Sequence, residues 1–580
     1  MEDSTQGAGV PLASDWTADL PVYDDGRPIV RISLDEEKTA DDAVRVLAAR
    51  CDVFVRLGTL VRVMPSHPTT GPGYLAAMKP ATVRELLASS AVFAWDTAKG
   101  WRRDKCPAFL VPAIQGRGRW SSLHQVIAVV HTPVFQVSGA LHQTPGLDPM
   151  TGAYYDPLCP LPDVPDAPTH AQAKAAAALV EDFVKEFPFA TPSDLAGWLA
   201  AFLTPFVQYA YSGPSPMFLI DKNSPGIGAS KLCDVISIVH AGFSMDRSTF
   251  PEEENELQKT ISGYVLEGER WCMLDNLRGK VGGSVIEIAL TAERWKARLL
   301  GTNSNVRGRL DMIWFATANN AQLTPDVARR TLQIRLESVY ERPDELEYKR
   351  PNLLDDVHVA RASLVSAGLT MLRAYFAAGS PSHPDLRPWG SFDGWSRLVQ
   401  GCLLWLGYEP LTTNRLRLRA DADNETALLH EVLSELRPVF KDRSTGKVSW
   451  LTTHEIIQRV NADGERFRQL KGALENFTMT RPNEPLSVRR LGNAFVPVRN
   501  KPCGGLRLVR SADRKNSGYE WFVETIKTDA EQNAAVSSER ALGAGGPPPS
   551  PAPPEADPGA LDPFPDVEPG WTPEDDPTLD

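Results

Sequence analysis

The sequence predicts a multidomain α/β protein. It has a central α/β core, a mixed α+β N-terminal region, and a helical C-terminal half ending in a winged helix. Three observations lead there. Leu219–Ile236 reads LIDKNSPGIGASKLCDVI: an apolar strand, a Gly-rich turn and an amphipathic helix, the layout of a phosphate-binding loop. Two more short, nearly all-apolar runs follow, Cys272–Leu274 and Met312–Ala316, each running into polar residues. Continuous apolar strands joined through helices imply a sheet covered on both faces. After Glu341-Arg342-Pro343 the apolar spacing becomes helical and closes on two helices followed by basic β-type runs.

In chain order, residues 1–19 are expected to be disordered and 20–160 to form the mixed α+β region. Within it Ile29–Leu34 and Val53–Met64 read as strands and Asp41–Ala49 as a helix, while Pro145–Tyr155 is a turn-rich, aromatic surface loop. Pro162–Pro168 is a linker. Residues 165–210 form a helical linker or lid, with helices over His170–Lys185 and Thr191–Tyr209; the Thr191-Pro192 start fits a helix N-terminus. Residues 211–345 are the core, which opens on a strand at Met217–Ile220. Residues 346–440 are a helical domain, with helices at Val357–Phe376, Ser391–Trp405 and Thr426–Leu436. After a charged break at Lys441–Thr445, residues 441–525 are the winged helix: helices at His454–Val460 and Arg466–Asn476, then β-type runs at Phe495–Arg499, Leu506–Val509 and Tyr519–Val523. Residues 530–580 surround GGPPPSPAPP with acidic residues, a composition that buries no core and is expected to be disordered.

The 580 residues carry a formal charge of −12, unevenly placed. Residues 531–580 hold eleven acidic side chains and one basic one, against 62 acidic and 60 basic in the rest. The near-neutral body leaves nucleic acid open as a partner, because local patches decide that. The acidic tail is a candidate docking segment for a replication protein. The seven cysteines are odd in number and show no metal-ligand spacing, which fits a reducing compartment. The N-terminus MEDSTQGAGV is too acidic and polar for a signal peptide, and no run of 18 apolar residues occurs. A cytoplasmic chain without a membrane span is expected. The histidines form no ligand motif, and neither Ser262-Gly263 nor Ser284 has the setting of a hydrolase nucleophile.

The candidate chemistry lies around the loop. Backbone N–H groups of Ser224–Gly228 would cradle a diphosphate, helped by the helix N-terminus, and Gly226 and Gly228 permit the tight turn. Ser230 stands at the hydroxyl place that reaches Mg. A Walker A loop needs Lys directly after its last Gly; here that residue is Ala229. Without that contact the phosphate charge is poorly neutralised, a deficit on the order of several kcal/mol. Lys231 lies about 200° around the helix from position 229, and Lys222 precedes the turn. Asp275 ends an apolar run as a Walker B acid would and is the second Mg candidate; Asn276 follows where many ATPases have Glu. Asn319 and Asn320, after the third run, are placed to sense a γ-phosphate. Arg329 and Arg330 form a candidate finger pair reaching a neighbour's phosphate. Asp234, one turn after Ser230, is expected to face solvent or pair with Lys231.

The phrases LIDKNSPGIGASKLCDVISIVHAG, CMLDNLRG, ALTAERWKARLLG, WFATANNAQL and DVARRTLQIRLES resemble those of phage and mobile-element ATPases related to primase-associated helicases. The similarity extends more distantly to superfamily III and AAA+ ATPases, and covers about residues 28–525. Asp275, Asn320, and Arg329 or Arg330 match the family's acid, sensor and finger positions; where the family has Lys, this chain has Ala229. The resemblance implies an oligomeric, ring-forming ATPase, hexameric in kind, using ATP and Mg and acting on DNA during replication.

Between Asp275 and Met312 the chain carries Arg278, Lys280, Arg294, Lys296, Arg298, Arg307 and Arg309. A basic hairpin here would hold phosphates. For Arg294, Lys296 and Arg298, with acidic neighbours, a plain solvated surface is the equal alternative; Asn303–Arg309 reads as loop-like and is the better contact candidate, and Lys280, Arg307 and Arg309 are the candidate DNA contacts. In the C-terminal module Arg499, Lys501 and Arg507 are the candidate wing contacts. Three functions remain open on the residues alone: a DNA-acting ATPase or helicase, a nucleotide- or DNA-binding scaffold without turnover, and a winged-helix transcription regulator.

Overall fold

The computed structural model describes residues 16–526, apart from 68–70, 163, 252, 299–304, 423, 442–446, 479–483 and 516–517. Of the expected disorder of 1–19, residues 1–15 lie outside the described residues, as does the acidic, Pro-rich tail; residues 16–19 instead form turns, and the Trp16 carbonyl accepts from Arg45 Nε at 2.9 Å. The chain divides into two compact units at residues 424 and 425.

The centre of the first unit is a five-stranded, all-parallel sheet. Its strands are β1 (Met217–Lys222), β2 (Arg247–Ser248), β3 (Trp271–Leu277), β4 (Ile313–Asn319) and β5 (Thr331–Leu336), in the order β2-β3-β4-β1-β5. Strand β1 therefore lies between β4 and β5, and β4 separates it from β3. The near-continuous apolar runs follow from burial on both faces. Phe218, Ile220 and Phe315 face one core with helix α1 (Ala229–Ala241), Pro192–Val207 and Leu353–Ala377. Their neighbours Leu219, Trp314 and Ala316 face a second core with helix α2 (Glu254–Glu267). This is a P-loop-like α/β core flanked by α+β segments, and the carboxyl ends of β1, β3 and β4 present the loop, Asp275 and Asn319 along one edge.

The N-terminal segment has its own core of strands and helices. The run Val53–Met64 is a hairpin rather than one strand: Val53–Arg56 pairs antiparallel with Thr59–Met64, and both Leu57 and Gly58 turn through positive φ. Its helix is Glu36–Ala48, capped by the Asp35 side chain, and so starts earlier than Asp41. The Arg56 side chain donates to the carbonyls of Val265 and Ile127, satisfying a carbonyl at the end of α2.

The second unit packs helices Asn424–Leu436, Thr453–Ala462, Arg468–Phe477 and Val488–Val498 against the hairpin Leu506–Lys515/Gly518–Thr525. Phe495–Arg499, read as β-type, falls at the end of a helix instead. Leu491 and Phe495 are buried four residues apart, the period of a helix face, and Ser487 caps its start. Among the described residues no helix is long and apolar enough to cross a membrane.

Candidate nucleotide site and basic hairpin

Strand β1 feeds the turn Asn223–Gly228, and Gly228, at φ 94°, is the N-cap of α1. Gly226 also has positive φ, and a Cβ there would meet Asp344 Oδ1 at 2.9 Å. Side chains are thus excluded from the loop on both conformational and steric grounds. Ser230 Oγ donates to Asp275 Oδ1 at 3.0 Å, and Thr317 Oγ1 donates to the same oxygen at 2.5 Å. The Asn276 N–H donates back to Thr317 Oγ1. The loop hydroxyl, the acid of β3 and a hydroxyl of β4 therefore converge.

These oxygens are the hard donors Mg prefers, and the glycine turn opening a 13-residue helix suits a diphosphate. The donor set fits the pair Mg and nucleotide; Ser230 and Asp275 would hold the metal and the N–H groups of the turn the phosphates. The departure is Ala229, whose methyl group is buried. Lys231 is exposed on α1 and Lys222 half-buried at the end of β1. Lys231 lines a cavity of about 580 Å³ beside the loop, with Phe183, Phe187, Gly226, Tyr348 and Leu353 on its walls.

Asp234 is buried rather than solvent-facing, and its partner is not Lys231. Its carboxylate accepts from the Met245 N–H at 3.1 Å and from Arg247 at 2.7 Å. Burial pushes this carboxyl up from its ordinary value, opposed by those two bonds. Arg247, at the end of β2, also comes within 3.9 Å of Asp275.

Asn319 and Asn320 lie at the exposed end of β4, with Asn320 at φ 55°. Asn320 Oδ1 accepts from Arg335 at 2.7 Å. Arg335 in turn pairs with the buried Asp221 of β1 at 2.6 Å, and Asp221 also accepts from Gln333 and the Ala321 N–H. Arg329 and Arg330 differ. Arg329 is exposed and paired with Asp326 at 2.6 Å. Arg330 is mostly buried, donates to the Glu287 carbonyl, and is held below the usual guanidinium range by desolvation.

Arg247, Thr317, Arg335 and Asp221 were not singled out from sequence. Thr317 did carry a signal, as a polar residue inside the apolar run of β4. Arg247 carried none, because its strand is two residues long.

The interval between β3 and β4 holds the hairpin Arg294–Arg298/Asn305–Arg309. Both strands alternate exposed and buried. Trp295, Ala297 and Val306 face inward; Trp295 Nε1–H donates to Ser262 Oγ at 3.0 Å, and a Cβ on Gly308 would meet Val265 at 2.7 Å. The outer face presents Arg294 opposite Arg309, Lys296 opposite Arg307, and Arg298 opposite Asn305. Arg309 pairs with Asp311. Of the other candidates, Lys280 is exposed in a two-residue strand, Arg499 and Lys501 are exposed, and Arg507 is paired with Glu524 at 2.7 Å.

No family model matches the chain, and no curated protein matches it. Two solved apo structures of the NrS-1 C-terminal region are similar to it. One has 11% identity and a TM-score of 0.33, covering 77% of this chain and 100% of that one. The other has 10% identity and a TM-score of 0.31, covering 80% and 96%. At these values the similarity decides nothing, and fold and site rest on the chain's own geometry.

Proposed function

We infer that this chain is a DNA-acting protein of phage or mobile-element replication, built on a nucleotide-binding P-loop core. The observation that carries the reading is the outer face of the hairpin. Five cations lie on one face, with two like-charged pairs directly opposite each other. Such pairs destabilise a sheet, and a polyanion bound along the face removes the penalty. The face offers charge but no aromatic platform, so it would take the sugar–phosphate backbone without reading sequence.

The test is anisotropy of labelled single- and double-stranded DNA against the full chain across a salt series. Lys296→Gln with Arg307→Gln is expected to weaken binding about tenfold or more at 0.1 M salt, and to lower the slope of log K against log salt by about 1.4 for single strands. Equal binding and slope in the variant would overturn the reading.

DNA-stimulated phosphate release that vanishes in Asp275→Asn would make the chain an ATPase of helicase type. Ala229 favours a second reading, nucleotide binding without turnover, and the absence of phosphate release with Mg-ATP and DNA would select it. The three helices and terminal hairpin of residues 441–525 fit a winged helix, with Arg499 and Lys501 as free wing cations. We extend the proposal to a cytoplasmic, ring-shaped homo-oligomer in which the exposed Arg329 reaches a neighbour's loop. Light scattering that gives a strict monomer with nucleotide and DNA present would refute the ring.

A further inference from the structure

We propose that Arg247 supplies the positive charge that Ala229 does not, so that a nucleoside di- or triphosphate at the loop is held by an arginine from β2. The inference rests on the nucleotide reading of the loop and deepens it.

Three cations compete for the role. Lys231 projects from α1 on an exposed side of the helix, and Lys222 ends β1 half-buried. Neither touches the Ser230–Asp275 pair in any described contact. Arg247 does. Its Nη1 lies 3.9 Å from Asp275 Oδ2, while Asp275 Oδ1 holds Ser230 Oγ, the hydroxyl next to Ala229, at 3.0 Å. One carboxylate thus separates the guanidinium from the loop.

The approach is fixed rather than accidental. Asp234 sits four residues after Ser230 on α1, so the two side chains share a helix face. The buried Asp234 carboxylate is itself held by the Met245 N–H, two residues before Arg247, and takes Arg247 Nη2 at 2.7 Å. Buried acid and backbone therefore aim the guanidinium along the face that carries the loop hydroxyl.

Among the described residues, the guanidinium also keeps donors to spare. Of its five N–H donors, the bond to Asp234 uses one. The 3.9 Å approach to Asp275 is too long for a hydrogen bond. The Arg247 side chain is 46% exposed, so its remaining donors are open to an incoming oxygen. A fork of N–H groups always carrying charge matches the oxygens of a phosphate. A pair serving the fold alone would need only Asp234.

The experiment is calorimetric titration of the full chain with ATP and with ADP, each with Mg and with EDTA. Circular dichroism checks every variant for folding. Arg247→Gln is expected to lower affinity about tenfold, the value of a charge-assisted hydrogen bond. Ala229→Lys is expected to raise affinity more in Arg247→Gln than in wild type, because the two cations would serve the same phosphate; equal gains in both backgrounds overturn the proposal. Wild-type affinity in Arg247→Gln overturns the proposal, and so does a larger loss in Lys231→Gln than in Arg247→Gln. If Arg247→Gln does not fold, Arg247→Lys decides: it keeps a cation for Asp234 but loses the fork, so reduced affinity supports the proposal and unchanged affinity overturns it. A wild-type chain that binds neither nucleotide is a different outcome, because it removes the nucleotide reading itself.

Discussion

The edge of the sheet and the hairpin between β3 and β4 are both dense in charge, yet they handle it in opposite ways. At the sheet edge every acid has a partner inside the chain. Asp221 is met by Arg335 and Gln333, Asp234 by Arg247 and the Met245 N–H, and Asp275 by Ser230 and Thr317. On the hairpin Lys296 faces Arg307 and Arg294 faces Arg309, although Asp311 pairs with Arg309. Charge matched within the chain positions groups and stabilises them. Charge left against like charge costs stability, and salt or a bound anion relieves it. On the function proposed above, the first region would serve a small ligand and the second a polyanion.

The largest expected effect breaks the internally matched side. Asp221→Ala removes the acceptor of the Arg335 guanidinium, the Gln333 amide and the Ala321 N–H together, on a carboxylate that is almost fully buried. Breaking one side of a buried ion pair costs about 3–5 kcal/mol. Urea unfolding followed by fluorescence of the buried Trp198 and Trp314 should show a loss of this size. A cost below about 1 kcal/mol, the value of an exposed pair, would mean that the sheet edge is no better matched than the hairpin.

How far the contrast was legible from sequence depends on the distance between the residues involved. The loop, the acid of β3 and the Asn pair at the end of β4 lie at the ends of apolar runs, so periodicity located them, and it located their strands to within a few residues. The pairings across the sheet were not legible. Nothing local tells that Asp234 meets Arg247 rather than Lys231, since that depends on where β2 enters the sheet. The hairpin was legible only in part: Asn303–Arg309 read as loop-like, whereas Asn305–Arg309 is a strand alternating exposed and buried, and cross-strand register decides whether the cations oppose or stagger. Phe495–Arg499 was misread because β-branched and aromatic residues at a helix end look like a strand when the stretch is short.

A second expectation sharpens the contrast by using protons as the probe. His240, in the last turn of α1, is fully buried; its Nε2 bonds the Phe202 carbonyl at 2.9 Å and its ring packs on Phe206. Burial, with Arg270 and Arg361 nearby, holds its pKa far below the ordinary 6.5, at about 3. The folded form therefore binds the proton less well than the unfolded chain. The stability this contributes is fully present above pH 6.5 and is lost as pH falls from 6.5 towards 3, at about 1.4 kcal/mol per pH unit. In thermal unfolding across that window, His240→Gln should flatten the wild-type slope by this amount. Parallel slopes would show that the interior around the last turn of α1 is open to protons, and so no more sealed than the hairpin face.

The smallest expected effect is the most discriminating, because it reverses the usual sign of a surface change. Lys296 and Arg307 are directly opposed on the outer face of the hairpin, with the buried Ala297 and Val306 beside them. Replacing both with Gln keeps two long, polar, strand-compatible side chains and removes only the repulsion. Relief of a directly opposed like pair is worth roughly 0.2–1 kcal/mol, so the double variant should unfold slightly later than wild type in thermal or urea titration at low salt. High salt screens exposed charges over about 3 Å at 1 M, so the gain should shrink towards zero there. A stability gain that coincides with weaker DNA binding assigns the cationic face to a partner. A loss of stability in the same variant, at any salt, would place the two side chains among the contacts that hold the hairpin, and the contrast with the sheet edge would fail.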